Sequence, residues 1–288
     1  MLTCATASGQ RARSTQEAVL RPGEQISFSF GENWLRYVRS LGADRYEAAK
    51  RSLCELLGLE SLAGKSFLDA GCGSGVFSLA AVQLQALRVV SIDADPSSVE
   101  ACRQVKRSCE VPHWEIAEGS VLDEGFLLAL GTFDVVYAWG VLHHTGAMWE
   151  AMDNVALAVK PGGLLALAIY NRTRTSPLWV QYKRLYNRSG RLVKAMLVWA
   201  ILMPRVLVRL ARLKHPLKGP RGMSVYHDAV DWAGGLPYEC ASFEEVADYM
   251  RRKGFSLKKG RRTRASGCNE FLLERPVGQA SSNSPRVG

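Results

Sequence analysis

Short apolar runs alternate along the chain with longer segments in which apolar side chains recur every three or four residues. The runs are Phe67-Leu68 before Asp69, Val89 to Ile92 before Asp93, His113 to Ala117, Phe133 to Trp139, and Leu164 to Tyr170. Runs of this length, apolar on both faces, predict buried parallel strands. Between them Val76 to Leu87, Ser97 to Lys106 and Met148 to Val159 read as helices. Strands alternating with helices predict an α/β domain with a doubly wound sheet, which places ligands at the carboxyl ends of its strands. Upstream, Asn33 to Leu41 and Tyr46 to Leu57 have helical spacing, with Trp34, Tyr37, Val38 and Leu41 on one face. They are expected to pack over the loop that follows the first strand, with Phe28, Phe30 and Trp34 read as core rather than as ligand contacts. Downstream, Ser242 caps a helix from Phe243 to Lys253, and Phe255 to Thr263 with Asn269 to Glu274 predict a hairpin.

The first strand runs into Asp69-Ala70-Gly71-Cys72-Gly73-Ser74-Gly75 and then directly into a helix. Glycines at alternate positions tolerate positive φ and let the backbone come close to a ligand. A dinucleotide fingerprint would need its third glycine at position 76, where Val76 stands. A carboxylate at the strand end also repels pyrophosphate and suits a cation. S-adenosylmethionine (SAM), with an ammonium, a sulfonium and no phosphate, is such a ligand. Asp93, at the end of the second strand, is placed to accept from both ribose hydroxyls, while Asp95, before Pro96, reads as the cap of the next helix.

Composition narrows the class. The 288 residues are 47% hydrophobic and 22% charged, as in a globular protein. Seven cysteines form no CxxC pair, which reads as reduced thiols in a cytoplasmic protein without a disulfide frame or metal site. No apolar run approaches the roughly 20 residues of a membrane span. The net charge of +10 is unevenly placed: between Asp153 and Asp228 there is no acidic residue, while 14 are Lys or Arg. The remainder is close to neutral, so the excess belongs to one segment.

Taken together and in order, these motifs resemble the class I SAM-dependent methyltransferases. The resemblance rests on Phe67 to Gly75, on Asp93, on Phe133-Asp134-Val135-Val136, on Lys160-Pro161-Gly162-Gly163 before the fifth strand and on the final hairpin. It implies a mostly parallel seven-stranded sheet ordered 3-2-1-4-5-7-6, with the seventh strand antiparallel. It also implies SAM as cofactor and S-adenosylhomocysteine as product. Asp69, Gly71, Gly73 and Gly75 would hold the methionyl part, Asp93 the ribose, and Val121 would lie against the adenine. Trp139, ending the fourth strand, joins this set. The family often places an Asp where this chain has Ser120, which leaves that contact to the adenine amino group open.

The chain departs from the minimal fold at 172–240, a helical, lid-like insertion between strand five and the last helix. Its centre, Ala195 to Met203, is unbroken apolar sequence, followed by Arg205, Arg209 and Arg212 on one face. A lid or a dimer contact is preferred here to an in-plane membrane helix. The insertion's end, with Tyr226, His227, Asp228 and Glu239 among aromatics and glycines, reads as an acceptor-binding loop rather than a helix. Residues 1–24 read as a flexible leader, 25–275 as the methyltransferase domain and 276–288 as a disordered tail.

Methyl transfer from SAM needs an aligned nucleophile and removal of its proton. His143 and His144, just after the fourth strand, are the candidates for the base. The expected function is methylation of an oxygen or nitrogen of a small molecule. The rivals are an RNA or protein methyltransferase using the basic 154–227 segment, and a SAM-binding protein without catalysis. Nucleic acid is not favoured, because the fourth strand lacks an Asn/Asp-Pro-Pro-Tyr signature and the basic residues interleave with apolar ones.

Overall fold

Alternation within the first strand divides the molecule into two packed layers. In the computed structural model, which describes residues 28–277 apart from 39–41, 108, 110, 214, 217–218 and 220–223, β1 (Ser66–Ala70) is buried throughout. Leu68 and Ala70 join one core, with α5 (Glu124–Leu130), α6 (Met148–Leu157) and α10 (Phe243–Arg252). Phe67 joins the other, with α1 (Phe30–Val38), α2 (Ala43–Leu57), α3 (Val76–Gln83) and α4 (Pro96–Arg107). Period-2 burial of this kind follows from successive side chains leaving a strand on opposite faces.

The remaining strands are β2 (Arg88–Asp93), β3 (Trp114–Glu118), β4 (Phe133–Trp139), β5 (Val159–Tyr170), β6 (Ser256–Arg261) and β7 (Cys268–Glu274). The sheet order is β3-β2-β1-β4-β5-β7-β6, as the resemblance implied, and β7 runs antiparallel to both neighbours. The order reverses at β1, which pairs in parallel with both β2 and β4. A crevice therefore opens at their carboxyl ends.

Two elements differ from expectation. β5 begins at Val159, so Lys160-Pro161-Gly162-Gly163 is an irregularity inside the strand, where the register against β4 jumps from Phe133↔Val159 to Val135↔Leu164. The jump leaves Lys160 Nζ 2.7 Å from Asp134, whose carboxylate also accepts from the Ser66 N–H and hydroxyl. Burial alone would raise the Asp134 pKa, but the Lys160 and Ser66 hydrogen bonds more than offset it and hold the group at about 2. The second difference lies in the insertion, which forms α7 (Ser176–Arg188), α8 (Arg191–Ala211) and α9 (Val225–Gly234). α9 occupies the stretch expected to be a loop. Ser224 caps it through the His227 N–H, and Val225, Ala229, Trp232 and Ala233 make a buried stripe at helical spacing.

The leader at 1–24, and the tail apart from Pro276 and Val277, lie outside the described residues. None of the described helices is long and apolar enough to cross a membrane.

Candidate functional site

A cavity of about 1550 Å³ lies along the carboxyl edge of the sheet, with the glycine loop on one side and the insertion on the other. On the loop side, Gly71, Gly73 and Gly75 all take positive φ, between +52° and +83°. The Gly71 and Cys72 N–H groups donate to the Ile92 carbonyl, which fastens the loop to β2. Gly73 has a further reason to lack a side chain, since a Cβ there would meet the Trp34 indole at 3.0 Å. The N-terminal helix thus covers the loop as expected, while Phe28, Phe30 and Trp34 line the cavity instead of serving the core alone.

Asp69 and Asp93 both line this cavity. Asp69 accepts from the Ser78 hydroxyl at 2.5 Å, in a buried chain that continues through Ser91 to the Trp114 indole N–H. Burial pushes its pKa up to about 7. Asp93 accepts from the Gly73 N–H at 2.9 Å and from the Asp95 N–H at 2.9 Å, so it braces the loop while lining the cavity, and burial raises it to about 6. Asp95 caps α4 through the Ser97 N–H and also accepts from Ser29 and Gly31, tying α1 to the same corner. Ser120 Oγ accepts from the Leu122 N–H, and Gly119 to Leu122 supply an apolar wall past β3. Trp139 stacks at 5.4 Å, nearly parallel, on Tyr137, which in turn stacks on Phe77.

The opposite wall is aromatic. His143 and His144 sit in a 3₁₀ turn after β4, and both line the cavity with Phe30, Tyr170 and Trp232. His144 Nδ1 lies 2.7 Å from the Pro237 carbonyl. A carbonyl can only accept, so Nδ1 carries the proton and Nε2 keeps its lone pair. His143 is fully buried, neither ring nitrogen has a hydrogen-bond partner among the described residues, and its ring lies 3.9 Å from that of Tyr170. Burial keeps both imidazoles neutral, pulling His144 down to about 3 and His143 well below its ordinary value. Gly235 permits this wall, because a Cβ there would approach His144 Cε1 to 2.8 Å.

The four residues expected to bind the acceptor do not converge. Asp228 lines the cavity and pairs with Arg205 at 2.7 Å. Tyr226 and His227 do not line it: His227 packs on Tyr37, with Tyr226 against its other edge. Glu239 also lies outside, where both its oxygens receive the Met148 N–H at the start of α6. For Tyr226, His227 and Asp228 the helix geometry of α9 causes this, since neighbouring residues of a helix point in different directions. Asp231 takes the place that a loop would have given to several of them. It lines the cavity, accepts from Asn33 at 2.8 Å and is raised by burial to about 8.

Lys183 is the residue the pattern did not disclose. It is fully buried, donates to the Trp232 carbonyl and lies within 5.1–5.8 Å of the ring centres of Tyr170, Trp232 and Tyr238. Desolvation lowers it to about 7. The available signal was positional: Lys183 falls on the same face of α7 as the buried Val180. Among the described residues, no group of His, Cys, Asp or Glu is placed to hold a metal ion.

Residues 68–165 match the methyltransferase domain family. The chain is 34% identical over 120 residues to a ubiquinone biosynthesis O-methyltransferase of Methylobacterium sp. (strain 4-46), covering 42% of this chain and 47% of that protein. It is 39% identical over 105 residues to the ribosomal protein L11 methyltransferase of Burkholderia ambifaria (strain MC40-6), covering 36% and 32%. The chain thus spans about half or less of the length of these relatives. Among solved structures, an O-methyltransferase family protein from Burkholderia thailandensis superposes with a TM-score of 0.51 at 15% identity, over 87% of this chain and 59% of that one.

Proposed function

We propose that the chain is a class I SAM-dependent methyltransferase and moves a methyl group from SAM to an oxygen or nitrogen of a small aromatic acceptor. The residues at the sheet edge suit the cofactor: two carboxylates at adjacent strand ends face a cavity bordered by a loop with three positive-φ glycines. In this reading Asp69 and the Gly71–Gly75 backbone hold the methionyl end, Asp93 the ribose, and Val121 the adenine face, with Ser120 and Trp139 at the edges of the pocket. When bound, SAM supplies a methyl group already activated by its sulfonium.

The protein then has to align the acceptor, exclude water and remove a proton. Phe30, Tyr170 and Trp232 form a wall that suits a planar acceptor. The His144 tautomer carries the proposal: with Nδ1–H fixed on the Pro237 carbonyl, Nε2 is left to take the acceptor's proton, which even a weakly basic imidazole can accept once the new methyl bond makes the acceptor atom cationic. His143 backs His144, their ring centres 4.5 Å apart. Asp228 and Asp231 place carboxyl groups on the acceptor side, the buried Asp231 held largely protonated, where an amine or hydroxyl of the acceptor would meet them. A screen of phenols, catechols, aryl amines, tRNA and ribosomal protein for SAM-dependent release of S-adenosylhomocysteine tests the reading. Turnover with an aromatic small molecule is expected, and turnover with RNA or protein alone would refute it.

A further inference from the structure

α8 turns an uncharged, unpartnered face away from the protein. Leu192, Met196, Trp199, Met203, Leu207 and Leu210 follow one another at three- or four-residue steps, and each is between 42 and 83% exposed. Helical geometry puts them on one side. The other side is anchored: Val198 and Leu202 are buried against Val225, Ala229 and Tyr186, which fixes the rotation of the helix. The charged residues of α8 lie off the stripe, with Arg205 paired to Asp228 and Lys194 over the Tyr186 ring. Leu178 and Leu185 on α7 and Leu213 just past α8 are exposed as well. An exposed apolar stripe of this length marks a docking site.

Charge selects the occupant. The stretch between Asp153 and Asp228, which contains α7 and α8, has 14 Lys or Arg and no acidic residue. Lys160, Arg172 and Arg205 pair with carboxylates outside it and Lys183 is buried, and the remaining ten still leave it strongly basic. A twofold contact between two copies would bring two such stretches together and set like charges against each other. An anionic lipid surface complements them, and an apolar helical face with Trp and Leu opposite Lys and Arg is the pattern of a helix lying in the plane of a bilayer. We propose that α8 docks the protein on anionic membrane surfaces, lying flat rather than crossing. One consequence concerns access. A crevice of about 500 Å³, bordered by Trp179, Tyr182, Ala200, Ile201 and Pro204, adjoins α8 and shares Arg205, Trp232 and Gly267 with the large cavity. An acceptor with an apolar tail would have a path beside the docked helix.

The test is flotation of the full chain with phosphatidylcholine vesicles, with and without about a third phosphatidylglycerol, for the wild type and the Met196→Asp/Leu207→Asp double variant. The wild type should float at least about tenfold more with the mixed vesicles at low salt, and the double variant should lose that binding about tenfold. Circular dichroism and SAM titration should be unchanged in the variant, because both positions are exposed. Leu192→Asp, at the first turn of α8, replaces the double variant if the latter does not fold. No flotation with either vesicle, or equal flotation with both, would overturn the proposal. So would a wild-type dimer in light scattering that the substitutions convert to a monomer without any effect on vesicle binding.

Discussion

The two halves of the cavity are built in different ways. On the cofactor side, backbone does most of the work: three positive-φ glycines, N–H groups donated to the Ile92 carbonyl and two strand-end carboxylates that lie within 25 residues of sequence. On the acceptor side, side chains from α1, the turn after β4, β5 and α9 meet across the whole length of the chain, as in the Asn33–Asp231 and His144–Pro237 contacts. A site made of backbone tolerates little change and leaves a motif. A site made of distant side chains changes freely, and its members reveal themselves only in three dimensions. The cofactor half should therefore answer to substitutions in binding, and the acceptor half in turnover.

The largest effect is expected on the acceptor side. His144→Ala should lower turnover by about 10²–10⁴ with SAM affinity unchanged, measured by S-adenosylhomocysteine release and by titration. An equal loss from His143→Ala and none from His144→Ala would reverse the two roles. Next, acidification should separate the halves. Asp69 and Asp93, held near 7 and 6 by burial, keep protons that an unfolded chain would release above about 4. The cofactor-free fold therefore loses stability as pH rises through that window, while attraction for a cation grows as the same groups ionise. SAM affinity should weaken about tenfold or more from about pH 8 to about pH 5.5, and the thermal shift caused by SAM should shrink with it. Asp231→Asn belongs to the acceptor side and should change the acceptor KM several-fold without altering the SAM affinity. The smallest effect falls outside both halves. Glu239→Gln removes a charge from the start of α6, so it should lower Tm by about 2–4 °C, for a loss of about 1 kcal/mol, and leave kcat unchanged.

The contrast also explains what could be read from the sequence. The glycine loop, the Asp95 cap and the Ser242 cap were legible because each depends on residues close in sequence, whereas the strand order came with the family resemblance. α9 was not. Gly234, Gly235 and Pro237 crowd its end and suggest a loop, while the Ser224 cap and the Val225–Ala229–Trp232–Ala233 stripe that make it a helix become visible only against Tyr186 and Leu202 of neighbouring helices. Tyr226 and His227 were misplaced for that reason, and Glu239 because its Met148 partner lies 91 positions away. The partners of Lys183, Trp232 and Tyr238, lie some fifty positions away, and nothing local announces them. The proposed lipid-facing side of α8 is likewise defined only in three dimensions, because the burial of Val198 and Leu202 fixes which face is turned outwards.

The central claim is that the loop after β1 and Asp93 form a SAM site. Calorimetric titration of the wild type and Asp93→Ala with SAM and S-adenosylhomocysteine tests it directly. Micromolar binding that weakens about 10- to 100-fold in the variant is expected, since the carboxylate's charged hydrogen bonds are lost. Absence of binding by the wild type, or equal binding by the variant, would contradict it.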